Sequence, residues 1–408
     1  MPMGAEMSLK SKLRRAERLR QLRAFGLILP LLLFLVVTFV VPIADMLRRS
    51  VHDPELSQVW PATTSAIKGW TARERLPDEA VFAALAGDLR ASRDAATLAT
   101  AARRLNYDFN GSRTLLFTTA RKLPASAPSW TEALIAADPR WGETEVWGAI
   151  NRASGPLTAF FLMQAVDLER DATGALRGAP TDEAIYIDVL GRTFGISLTV
   201  TVLCLLLGFP VAYLLANLPP RQANLLMILV LLPFWTSLLV RTAAWVVLLQ
   251  DQGLVNNLLI WLGVIEKPLR LMYNRVGVIV AMTHVLLPFM ILPLYSVMKG
   301  ISPVYLRAAR SLGATPTIAF LRVYLPQCLP GFGAGALLTF ILALGYYITP
   351  ALVGGAADQM LSYFIAFYTS DTVNWGMASA LGAVLLAATL VLYAVYTRLV
   401  GTDSVKLS

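Results

Sequence analysis

The sequence predicts an all-α, polytopic membrane protein: six transmembrane helices, with a mainly helical domain inserted between the first and the second. Three observations carry this. Aliphatic, aromatic and sulphur side chains make up 56% of the 408 residues and charged ones only 15%, where a soluble domain has about 25% charge. Six runs, 25–44, 190–218, 224–249, 276–298, 331–353 and 376–400, are apolar over a length that crosses a bilayer. Residues 51–189 have soluble composition, with acids and bases in comparable number and no spanning run.

The limits follow in order: a basic tail over 1–24, the first span over 25–50, the insert over 51–189, a five-helix core over 190–400 and a short tail over 401–408. Lys and Arg gather on the cytoplasmic side of spans. The first tail holds Lys10, Lys12, Arg14, Arg15, Arg18, Arg20 and Arg23 against Glu6 and Glu17. The segment between spans four and five holds Lys299, Arg307, Arg310 and Arg322 and no acid; the next holds Asp358 and Asp371 and no base. Six spans with both termini in the cytoplasm satisfy all of this, and place the insert outside. The net charge of +9 is then a topology signal, and nucleic acid is not an expected partner. The first span reads as a retained anchor in contact with lipid. Its apolar core exceeds a signal-peptide core and no A-x-A site follows.

Spans four and five are expected to be broken by proline or glycine, which neighbouring helices tolerate. In the insert, Val81, Leu85, Leu89, Ala96 and Leu98 alternate with polar positions and predict one amphipathic helix over 78–104. The stretches 130–150 and 157–168 also read as helix, punctuated by Pro124, Pro128, Gly155 and Pro156. About 130 residues suffice for a core of their own.

Much chemistry is absent. Two cysteines, Cys204 and Cys328, and two histidines, His52 and His284, exclude a disulfide scaffold and a cysteine zinc site. There is no phosphate-binding G-x-x-x-x-G-K-[ST], no dinucleotide fingerprint after a strand, no H-E-x-x-H and no G-x-S-x-G. The chain is expected to be no enzyme, to hold no metal or cofactor, and not to hydrolyse ATP itself. Gly331-Phe332-Gly333-Ala334-Gly335 opens a span and reads as a close-packing stripe.

The informative stretch is 302–330. Ser302 suits an N-cap and Pro303 the first helical position, while Gly313 suits a left-handed helix end. Thr315 and Pro316 start a second short helix, expected to stop near Leu325-Pro326. Two capped helices between spans make a rigid knob, shallow at Ala308 and Ala309 and positive at Arg307, Arg310 and Arg322.

The string Arg307-Ala308-Ala309, three residues, Gly313, nine residues, Val323, one residue, Leu325-Pro326 resembles the EAA loop of ABC-importer permeases. Arg307 stands where that motif has glutamate. Leu232-Pro233-Phe234-Trp235-Thr236-Ser237 with Arg241-Thr242, and Leu287-Pro288-Phe289-Met290 with Pro293-Leu294-Tyr295-Ser296, resemble the spermidine/putrescine branch. The resemblance covers roughly 190–400 and the first span. It implies a type I importer permease in a bacterial inner membrane, with the insert periplasmic. It implies that the loop docks on an ABC ATPase subunit, which holds ATP and Mg. It implies a second permease chain, a heterodimer before a homodimer, and an extracytoplasmic substrate-binding protein, here expected to touch the insert. The implied cargo is a small organic cation such as spermidine or putrescine. Nothing in the resemblance accounts for the long insert.

Candidate pathway residues are Trp235, Arg241, His284, Tyr346, Tyr347 and Asp251. An arginine inside a span must face the bundle interior or water, unless it snorkels to the interface. His284 reads either as a structural histidine or as a cargo contact. The aromatic rings either pack or attract a cation. Asp251, with Glu266, Asp358 and Asp371, offers an acidic mouth that Lys267, Arg270 and Arg275 offset. Two rival readings stand beside the importer: a membrane-anchored sensor that binds a ligand through 51–189, and a secondary transporter.

Overall fold

The apolar runs form long helices. The computed structural model describes residues 3–70, 75–170, 175–181 and 183–400. Five helical stretches are long and apolar enough to cross a membrane: Arg23–Arg49, Tyr186–Asn217, Leu238–Trp261, Arg275–Gly300 and Trp375–Arg398. A bent pair, Pro316–Gln327 and Leu329–Leu344, passes the same test together and turns by 55° at its break. The chain is a mostly helical, multi-pass membrane protein. The expected tail over 401–408 lies outside the described residues.

The fifth span is broken as expected, and two spans depart from expectation. The third, expected to be continuous, is broken: Pro220–Leu231 gives way to a tight turn at Leu232–Trp235, and a new helix starts at Leu238–Leu249. Pro233 supplies no N–H and crowds the preceding turn, and Thr236 and Ser237 are extended. The fourth, expected to break, runs unbroken from Arg275 to Gly300 through Pro288 and Pro293. The fifth ends at Leu344, and Gly345, Tyr346 and Tyr347 separate it from a short helix at Ile348–Val353.

Spans two, four and five form the core. Ile196, Val200 and Cys204 of the second meet Val278, Met282, Leu286 and Met290 of the fourth and Ala343 of the fifth. The glycine stripe packs as expected: a methyl at Gly331 would lie 3.1 Å from Val297 Cβ, and one at Gly335 2.8 Å from Met290 Sδ. By contrast, the apolar window of the first span is 0% buried. That helix meets the rest near its C-terminal end, where Met46 sits against Gly382 and the Arg49 guanidinium lies 6.0 Å from the Trp375 ring.

The insert has a separate core of Leu56, Trp60, Phe82, Leu85, Leu116, Trp141 and Trp147. Several of its buried polar groups are paired, as burial demands. The Trp60 indole donates to Ser92 Oγ at 3.1 Å, and Trp141 donates to Thr119 Oγ1 at 2.9 Å. Asp88 accepts from the backbone and the hydroxyl of Thr63, at 2.7 and 2.8 Å. Glu79 accepts the Thr131 hydroxyl and the N–H groups of Trp130 and Thr131, and these donors hold its carboxyl below the usual range.

Three expected helices of the insert are divided. The stretch 78–104 is two helices, Glu79–Asp94 and Leu98–Asn106, broken where Ala96 takes a φ of 57°. The stretch 130–150 splits into Trp130–Ala137, a turn at Pro139–Gly142 and Thr144–Arg152, because Pro139 cannot continue the first helix. Over 157–168 only Phe160–Gln164 is helical, and Leu168 opens a hairpin strand, Leu168–Arg170, paired antiparallel with Leu176–Gly178.

The insert is fastened at several points. The Asp53 N–H donates to Pro156 O at 2.9 Å and the Thr158 N–H to Val51 O at 2.8 Å. Arg104, 1% exposed, pairs with Asp53, 7% exposed, and its guanidinium carbon lies 5.3 and 5.4 Å from the rings of Phe160 and Phe161. Phe161 packs with Met377, Ala380 and Leu381 of the last span. Tyr186, at the start of the second span, pairs its hydroxyl with that of Tyr368 at 2.5 Å.

Candidate functional site

Two groups of residues stand out. The first is the knob. Ser302 Oγ accepts from the Val304 N–H at 3.4 Å and Pro303–Ser311 is helical. Gly313 closes it with a φ of +88°, its N–H donating to Arg310 O at 3.0 Å and that of Ala314 to Ala309 O at 3.1 Å. Thr315 Oγ1 accepts from the Ile318 N–H at 3.4 Å and opens Pro316–Ala319.

The second helix stops near Leu325-Pro326, as expected, at Gln327. Before that end it widens through a π-turn, Phe320–Tyr324. The wider turn accommodates Pro326, which lacks the N–H that a regular helix needs there. Tyr324 is buried and Val323 and Leu325 half-buried, so this end of the motif anchors the knob to the bundle. Ala308 is exposed, whereas Ala309 is half-buried, so the two alanines do not share one open side. Arg307, Arg310 and Arg322 are exposed, beside exposed Val304, Tyr305, Leu312, Ile318 and Leu321. The arrangement is an apolar projection carrying three guanidinium groups.

The second group lies at the breaks of spans three and five. The Thr242 and Thr349 hydroxyls meet at 3.1 Å and join the new helix of span three to the short helix after span five. One turn on, the Trp245 indole donates to His284 Nδ1 at 3.1 Å, which requires that nitrogen to be unprotonated. Arg241 lies one helical turn before Trp245 on the same helix. Its Nε is buried and donates to no acceptor among the described residues. An unpaired charge at the centre of a span costs about 2.5–3.5 kcal/mol by insertion measurements. Trp235 is 74% exposed and Tyr347 41%.

The structure thus joins His284 to Trp245, one helical turn from Arg241. Sequence reasoning missed Trp245, although its place four residues after Arg241 on one helix was legible. Asp251 lies in the exposed turn after Leu249. Of the acidic mouth, Asp358 is not open: it is buried, and accepts from Arg275 Nε at 3.1 Å.

Comparison with known proteins decides the family. Residues 205–401 match the model of the binding-protein-dependent transport system inner membrane component. The spermidine/putrescine transport system permease protein PotB of Escherichia coli is 35% identical over 216 residues, 53% of this chain and 78% of that protein. The chain belongs to this permease family. The Haemophilus influenzae PotB is 36% identical over 214 residues, covering 52% of this permease and 75% of the relative. A crystal structure of a bacterial ABC transporter that imports alginate aligns with a TM-score of 0.43 and 21% identity, over 53% of this permease and 78% of that chain. Both site groups fall inside the matched segment; the insert of this permease lies before it.

Proposed function

We propose that this permease forms one half of the translocation pathway of an ATP-driven importer for a small organic cation such as spermidine or putrescine. The observation that carries the reading is the capped knob between spans four and five, in a chain whose relatives include spermidine/putrescine permeases. The basic residues flanking it and the basic first tail support a cytoplasmic place for both termini. The knob then docks on an ABC ATPase subunit, which holds the nucleotide. A second, different permease chain completes the pathway. ATP binding draws the ATPases together, moves the knobs, and shifts the spans between inward and outward states. Arg241, His284, Tyr346, Trp235 and Tyr347 face the pathway, with Asp251 near its mouth.

Mild-detergent purification of the tagged chain, with mass spectrometry of its companions, tests this. The expected result is a P-loop ATPase and a second multi-span chain. Recovery of the chain alone under several gentle conditions overturns the reading.

The insert lies outside the membrane on this topology and serves as a docking platform for the substrate-binding protein. Its separate core supports this, since a self-folded unit holds a surface in a fixed place. A variant with 75–150 replaced by a short linker is expected to lose at least tenfold in affinity for that protein. Equal affinity and equal uptake refute the platform.

A further inference from the structure

A cavity of about 690 Å³ lies where the insert meets the bundle, away from both groups described above. Tyr107, Phe160 and Met163 line it from the insert. Tyr186, at the start of the second span, and Tyr368, on the helix Leu361–Ser370, line it from the bundle. Small-molecule sites occupy roughly 300–1,000 Å³, so the size fits one. Tyr186 is 7% exposed, so the cavity reaches into the packed interior. The hydroxyls of Tyr186 and Tyr368 bond to each other. One phenol proton lies between them, and the other has no acceptor among the described residues.

The charges around this cavity are unequal. Five carboxylates and three guanidinium groups line it, an excess of two negative charges among the described residues. Asp108 accepts from Arg152, at 3.1 Å from Nε and 2.7 Å from Nη2. Asp167 accepts the N–H groups of Tyr186 and Ile187 at 3.0 and 2.7 Å, and so satisfies the open end of the second span. Glu169 stands opposite Arg177 across the hairpin. That leaves Glu145 and Glu183, which join no hydrogen bond or ion pair among the described residues, against Arg170. The acids do not converge on a point either. No group of three His, Cys, Asp or Glu side chains among the described residues is placed to hold a metal ion. Dispersed negative charge beside aromatic rings suits a ligand whose positive charges are spread along an apolar chain.

We propose that this cavity binds an organic cation with two or more ammonium groups joined by methylenes, outside the membrane and apart from the residues around Arg241. The ammonium groups meet Glu145, Glu183 and the phenol oxygens, and the methylenes lie along Tyr107, Phe160 and Met163. An occupant touches the insert, the first turn of the second span and Tyr368 at once, and so strengthens the seating of the insert on the bundle. The choice of polyamines as probes rests on the reading of the cargo as a small organic cation.

The test is equilibrium dialysis of radiolabelled putrescine and spermidine against the purified transport complex, without nucleotide or substrate-binding protein. The complex sits in nanodiscs of phosphatidylcholine, a lipid with no net charge. Both probes are expected to bind saturably, spermidine the more tightly, and Mg2+ at equal ionic strength to leave them bound. Glu145→Gln with Glu183→Gln is expected to weaken binding tenfold or more. Both residues are exposed, so the change spares the fold. Tyr368→Phe removes a hydroxyl and no charge. It is expected to weaken binding threefold or more, which a diffuse attraction between opposite charges would not show. Displacement by Mg2+, or equal affinity in either variant, overturns the proposal. If the unaltered complex imports an organic cation but binds neither probe in this assay, the proposal falls and the importer reading stands. If it neither binds nor imports one, both fall.

Discussion

Replacing Gly313 with valine is expected to cut ATP-driven uptake tenfold or more while leaving membrane insertion and yield unchanged. Gly313 ends the first knob helix at a φ of +88°. An L residue there costs about 1–2 kcal/mol, and a β-branched one is a true outlier. One or two kcal/mol shifts a two-state population by about 5- to 30-fold. The loss is through the backbone alone, because no atom lies within 4 Å of a Cβ built at this glycine. The bonds at risk are those from Gly313 N–H to Arg310 O and from Ala314 N–H to Ala309 O, which set the angle between the two knob helices. Asparagine tolerates the left-handed region, so Gly313→Asn should retain most uptake. Normal uptake by the valine variant at normal yield would sink the role given to the knob.

The second large effect belongs to the insert. Asp53→Ala should destabilise it by about 3–5 kcal/mol, the usual result of stripping one partner from a buried ion pair. Arg104 would be left in the interior with Nη1 and Nη2 already lacking acceptors among the described residues. Limited proteolysis of the purified protein should then cut within the insert at least tenfold faster. Adding Arg104→Met should recover much of the loss, because an apolar pair of similar volume is often as stable as the ion pair it replaces. Unchanged cleavage of Asp53→Ala would show that water reaches Arg104.

Much of this was legible because membrane helices and caps are local matters. The apolar runs, and Ser302, Pro303, Gly313, Thr315 and Pro316, act through neighbours a few residues away. The mistakes are equally physical. Pro233 broke a helix whereas Pro288 and Pro293 did not, since a proline's effect depends on what resatisfies the backbone around it. The one long helix read over 78–104 ignored the break at Ala96, where no glycine or proline gives warning. The pathway group was half legible. Arg241 and His284 were conspicuous by type, but only the packing of spans three and four put Trp245 beside His284. Arg104 carried no signal at all, because an arginine in a soluble segment is ordinarily exposed.

The contact of Phe161 with the last span bears on how such a domain is acquired or exchanged. A cassette joined only through its two ends can be moved between hosts by matching two linkers. This one also rests on Gly376, where any side chain would meet the Phe161 ring. A graft into another permease therefore needs a third match, a small residue at the start of a helix more than two hundred positions downstream of the Phe161 ring. Donor and recipient then have to be altered together.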